Sequence, residues 1–314
     1  MAQEVTKEAA AKAYSELSNW GRWGPEDQIG TLNNVTAEHV VAAAGLVNRG
    51  KVFALGASLH WPLQSVPNKG RWNAIHSYIQ DGADIHAGTN PANDYADDAV
   101  YMPLQCSTHW DALCHIFHRG RMYNGGHAKE FGSRGTKRLG IEHTAKKMVG
   151  RGVLLDVARF KGTDCLEFGY AISNKDLDDC AAAQGVTVGK GDFVIIRTGY
   201  QEQFLASGDW QGHSSSPAPG VAFENCRWLK KKDLAAIASD TYAVEVVPKG
   251  SFGYDFPWHS VVIPSIGVTV GEMLYLKELA EDCAQDGVYE FFFTGPPLVI
   301  TGGTGSPINP LAIK

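Results

Sequence analysis

Hydrophobic positions change their period along the chain, and those changes mark out the elements. Residues 3–18 (QEVTKEAAAKAYSELS) are helical in composition but polar on every side. That predicts a helix lying on a surface or on a partner subunit. Asn19 to Asn33 combines two tryptophans with Gly and Pro breaks and has no period, which predicts an ordered loop. Thr36 is placed to cap a helix running to about Val47, although Thr36-x-x-His39 lacks the Glu or Gln of a capping box. Lys51 to Leu59 alternates as a strand does. Trp61 to Asp98 is a long stretch rich in Gly, Pro, Asn and aromatic residues, a loop that either lines a pocket or is fastened to the body by its rings.

Tyr101 to Asp111 alternates again and predicts a strand. Farther on, apolar runs at Gly152–Val157 and Phe193–Arg197 bracket a helix that opens at Ser173-Asn174-Lys175-Asp176 and ends near Gln184. This strand–helix–strand repeat gives the α/β component. Helices near Glu224–Lys231 and Asp233–Ala236 lead into a short apolar strand ending at Asp240, where a carboxylate serves as a turn cap or a functional group. Val288 to Thr294 is a further strand.

The chemistry concentrates between Gln105 and Phe117 (QCSTHWDALCHIF). On a strand, Gln105, Ser107, His109 and Asp111 share one face, while Cys106, Thr108 and Trp110 take the other. If a helix starts near Asp111, His115 follows one turn later on the same side, with His118 close to that face. A polar face of this kind is costly to bury unless something binds there, and a divalent metal is the simplest candidate. The plainer alternative is a capping Asp111 with His109 and His115 as hydrogen-bonded core histidines.

Composition narrows the function classes. The 314 residues are 44% hydrophobic and 20% charged, ordinary for a globular chain able to bury a sizeable core. A formal charge of -6, with no basic stripe beyond Lys230-Lys231-Lys232, argues against nucleic acid as a partner. No apolar run reaches a membrane span and no secretory pattern opens the chain. Six scattered cysteines without a C-x-x-C pair fit free thiols in a cytoplasmic protein. There is no G-x-S-x-G elbow to support a serine hydrolase. The run V-I-T-G-G-T-G-S-P imitates a dinucleotide loop, but Pro307 and Pro310 leave no helix to follow it.

The run Thr108 to His115 (THWDALCH) resembles the H-x-G-T-H-x-D-x-P-x-H signature of the metal-dependent cyclase family, which includes bacterial kynurenine formamidase, isatin hydrolase and trans-dienelactone hydrolase. Asn19–Asn33, Asp81–Asp84, Met122–Gly125 and the tail from His259 to Ile313 are similar to the family's longer branch. Three positions depart: Gln105 stands for the first His, Ser107 for the Gly and Leu113 for the Pro. The resemblance implies one domain over 1–314 with residues 1–50 packed on it, built as an α/β kynurenine formamidase-like fold with a central β-barrel-like sheet and flanking helices. It implies His109, Asp111, His259 and Glu272 as ligands for one or two Zn²⁺ or Mn²⁺ ions, Gln105 as a weak fifth, and His115 as the acid–base catalyst. The implied activity is hydrolysis of an amide or ester, often cyclic, by metal-activated water in a homodimer or homotetramer. Trp72, Trp110 and Trp258 are expected to wall the pocket for a small-molecule substrate; His76 and His86 are assigned no role. A lyase or cyclase without net hydrolysis, or a small-molecule-binding protein with a decayed site, are the alternatives.

Overall fold

The computed structural model describes residues 5–64, 70–81, 95–250 and 256–314. Its frame is a nine-stranded mixed sheet curled into a half-barrel, with helices flanking it. Across the sheet the strands run Val52–Ala54, Leu311–Ile313, Glu290–Thr294, Val149–Asp156, Phe193–Arg197, Ala236–Ser239, Thr269–Glu272, His109–Asp111 and Gly305–Pro307. The four from Val149 to Glu272 are parallel, and antiparallel pairs extend the sheet on both sides. Parallel neighbours need crossovers, and helices at Asn174–Ala183, Tyr200–Ser207 and Asn225–Lys232 lie in the connections. Covered on both faces, Phe193–Arg197 and Ala236–Ser239 are buried at every position, which is why they read as continuous apolar runs. Ser173 and Asp176 form the expected capping box.

Several expected elements are shorter or absent. The strand drawn from Tyr101 to Asp111 is two pieces. Asp97–Tyr101 pairs with Ile75–Gln80 as a separate exposed hairpin, and only His109–Asp111 joins the main sheet. Pro103, which has no N–H to give a ladder, starts the turn between them, with Cys106 N donating to its carbonyl at 3.2 Å. Beyond Asp111 there is a turn instead of a helix, closed by His115 N to Ala112 O at 2.9 Å. Lys51–Leu59 shrinks to Val52–Ala54: Leu55 N donates to Pro310 O at 2.8 Å, but Pro310 has no N–H to return, so the ladder with Leu311–Ile313 stops there. Asp233–Ala236 is no helix: Asp233 turns left-handed (φ 53°) to end the preceding one, and Ala236 opens a strand. Thr36 does carry a capping box, with the His39 imidazole in the place of a carboxylate.

At the N-terminus, Lys7–Glu16 lies over the 258–266 turn, where Ser265 Oγ donates to Tyr14 O at 2.5 Å. Trp20 Nε1 donates to Pro264 O at 2.8 Å. Among the described residues, no helix is long and apolar enough to cross a membrane.

Candidate functional site

Register assembles the site. His109 stands directly opposite Glu272 on the neighbouring strand, and the period of two places Asp111 on the same face. On the other face Trp110 lies over Gly271, where a Cβ would meet the indole at 2.4 Å; the absent side chain is what lets the strands pair with Trp110 between them. His109 Nε2 is 3.3 Å from Asp111 Oδ1 and 3.4 Å from Glu272 Oε2. His259, thirteen residues before Glu272, comes from the helical turn after the Ala236–Ser239 strand, and its Nε2 is 3.3 Å from Glu272 Oε1. Asp111, His259 and Glu272 each bring one ligand atom within 4.8 Å of the other two. Donor atoms bound about 2.0–2.2 Å from one tetrahedral ion sit about 3.3–3.6 Å apart, so the spacing fits a shared cation.

The second ring nitrogen of each histidine is already committed. His109 Nδ1 donates to Ser107 O at 2.7 Å, which leaves Nε2 as its ligand atom. His259 Nδ1 is 2.6 Å from Glu245 Oε2, and the same carboxylate accepts the His259 backbone N–H at 2.9 Å. His109 Nε2 and Asp111 Oδ1 are buried without a hydrogen-bond partner, which is costly for a closed core and apt for a cation site. Burial alone would depress the His259 pKa, but Glu245 and Glu272 outweigh it and push it up to about 10. Burial also opposes charge on His109, yet Asp111 and Glu272 raise it. Asp111 is held well below the usual carboxylate range: burial works against its charge, but the imidazoles of His115 and His109 prevail. The carboxylates thus draw positive charge into the group.

A small cavity opens beside these residues, lined by Asp111, His259 and Glu272 and by Arg71, His115, Ile116, Tyr242, Phe256 and Met273. His115, 19% exposed, stands at its edge with Nε2 3.7 Å from Asp111 Oδ1; burial lowers its pKa. It therefore reaches the face predicted for it, through a turn rather than a helix. Gln105 lies over Gly305, the partner of Asp111 across the strands, and its amide donates to Thr304 Oγ1 at 3.0 Å. Among the described residues, no hydrogen bond joins it to the four grouped side chains.

The tryptophans differ from expectation. Trp110 (1% exposed) is in the core behind the sheet, bonded to Gly295 O and edge-on to Phe293, because alternation turns it away from His109. Trp258 (0% exposed) is packed in the same core. Trp72 is partly exposed and tilts against Tyr101, outside the cavity lining. Tyr242, Phe256, Ile116 and Met273 supply the apolar wall instead.

His118 stacks on Tyr14 at 4.2 Å, facing the N-terminal helix, and His76 pairs with Asp98 at 2.6 Å on the exposed hairpin. His86 lies outside the described residues. Asp240 is a turn cap: it accepts the Thr198 and Gly199 backbone N–H groups, and burial pushes its carboxyl up to about 6. Glu245 and Arg71 escaped the sequence reading. Glu245 sits in an unremarkable apolar run, whereas Arg71 belongs to the aromatic loop suspected of lining a pocket.

The family model described as "Putative cyclase" matches residues 33–246. A crystal structure described as that of a novel cyclase is 38% identical, covers 95% of this chain and 100% of its own, and superposes with a TM-score of 0.86. Isatin hydrolase A from Ralstonia solanacearum is 18% identical, with 89% and 98% covered and a TM-score of 0.63. A potential metal-dependent hydrolase with cyclase activity is also 18% identical, with 83% and 98% covered and a TM-score of 0.52. No curated protein matches the chain. Since the match to the novel cyclase spans nearly the whole sequence and the family model more than half of it, the chain belongs to the cyclase family.

Proposed function

We propose that this protein is a metal-dependent hydrolase that opens an amide or ester bond in a small cyclic or aromatic substrate. His109, Asp111, His259 and Glu272 would hold the ion. The observation that carries this reading is the buried, unpartnered pair His109 Nε2 and Asp111 Oδ1, set at ligand spacing beside a cavity that His115 borders. Two imidazoles with two carboxylates suit Zn²⁺ or Mn²⁺. When bound, such an ion lowers the pKa of water and polarises a carbonyl oxygen.

The remaining work falls to the chain. His115, its neutral form favoured by burial, takes the proton of the attacking water and returns it to the leaving nitrogen or oxygen. Ile116, Tyr242, Phe256 and Met273 hold an apolar ring and keep bulk water out. Isatin hydrolases among the solved structures of this fold support a cyclic amide as one substrate type. Turnover of isatin, aryl lactones and aryl amides in heavy-oxygen water tests the reaction class. Hydrolysis places one solvent oxygen in the new carboxylate. A product without it indicates a lyase or cyclase, and no turnover by metal-loaded protein indicates a binding protein.

Glu245 orients His259, so Glu245→Gln is expected to weaken metal binding about 10–100-fold. Competition with a chromophoric chelator measures this. Unaltered affinity would show that the backbone alone fixes the imidazole.

A further inference from the structure

Arg71 borders the cavity, with Nη2 3.4 Å from His115 Nε2. Among the described residues its guanidinium pairs with no carboxylate, although Asp111 and Glu272 line the same cavity. Those two carboxylates face His109 and His259 instead. Arg71 is permanently charged, partly buried and forked, and it borders a space that Ile116, Phe256 and Met273 share with Tyr242, Gln64 and the grouped imidazoles and carboxylates. Such a group is best satisfied by a ligand carboxylate, which accepts two parallel N–H bonds from the fork.

We infer that Arg71 selects an anionic substrate: a small cyclic or aromatic amide or ester that carries a carboxylate a few atoms from the bond to be cleaved. The short Arg71–His115 distance sets that closeness, because the paired carboxylate and the group that His115 protonates must be neighbours. The apolar wall of Ile116, Tyr242, Phe256 and Met273 then receives the ring between them. This inference rests on the hydrolase reading for its reaction, but the charge preference can be measured without turnover.

The experiment is calorimetric titration of metal-loaded protein with 3-carbamoylbenzoate and with isophthalamide, which differ only by a neutral amide in place of the carboxylate. The wild type is expected to bind 3-carbamoylbenzoate about tenfold or more tightly, as hydrogen bonds to charged groups predict. In Arg71→Gln the two ligands become nearly equal, and Arg71→Lys keeps part of the gap. Equal affinities in the wild type, no binding of either ligand, or a ratio unchanged in Arg71→Gln overturns the inference.

Metal content measured on the same samples keeps the two failures apart. Loaded protein without a charge preference defeats the role of Arg71 alone. Protein that takes up no metal defeats the hydrolase reading, and the same titrations on chelator-treated protein then decide the charge preference.

Discussion

His115→Ala is expected to lower hydrolysis by about 10²–10⁴-fold, the usual contribution of a positioned acid–base group, while metal content stays at the wild-type level. The two outcomes separate because His115 is outside the ligand group yet beside it. Its Nε2 is 3.7 Å from Asp111 Oδ1, and its side chain reaches the cavity whereas His109 is wholly buried. Burial lowers the pKa of the imidazole and so favours the neutral form needed to accept a proton. Steady-state kinetics paired with elemental analysis make the check. Loss of metal along with activity would recast His115 as a ligand, and an unaltered rate would remove it from the reaction.

The second large effect concerns the frame. Arg197→Ala is expected to destabilise the protein by about 3–5 kcal/mol, because it takes the buried cation from Asp156, which keeps only the half-exposed Arg159, and from Glu202. Arg197 donates to Asp156 Oδ1 at 2.8 Å and to both oxygens of Glu202 at 2.7 Å. The Asp156 side chain is 0% exposed. Asp156 and Arg197 end adjacent parallel strands in direct register, so the ion pair pins the centre of the sheet. Thermal melts should show Tm falling by roughly 10 °C. Arg197→Met combined with Asp156→Asn should recover part of that loss, since the pair is removed together. A melting temperature within a degree or two of wild type for Arg197→Ala would mean that water reaches Asp156 and Glu202 in its place.

What the sequence made legible follows from how local each signal is. The central strands were visible because strands covered on both faces are written as apolar runs, as in Phe193–Arg197. His109 and Asp111 share a face by strand periodicity alone, and that pairing survives although the strand is only three residues long. His259 and Glu272 were placed by family resemblance, since nothing in their local sequence says that a helical turn and a strand thirteen residues apart will meet. Glu245 was invisible for the same reason: its role depends on reaching His259 across the fold. Trp110 and Trp258 misled because an aromatic ring suits a core as well as a pocket; strand alternation already turns Trp110 away from His109 and Asp111, and its packing over Gly271 bears that out. His115 arrived where expected by another path, because a tight turn and a helical turn carry a side chain over a similar distance.

The central claim is that these four side chains form a metal site. Elemental analysis of wild type and His109→Ala, purified side by side without added metal, tests it most directly. The account predicts about one or two Zn or Mn ions per wild-type chain and their loss in the variant. Wild-type protein that is metal-free and takes up neither Zn²⁺ nor Mn²⁺ on dialysis would contradict it.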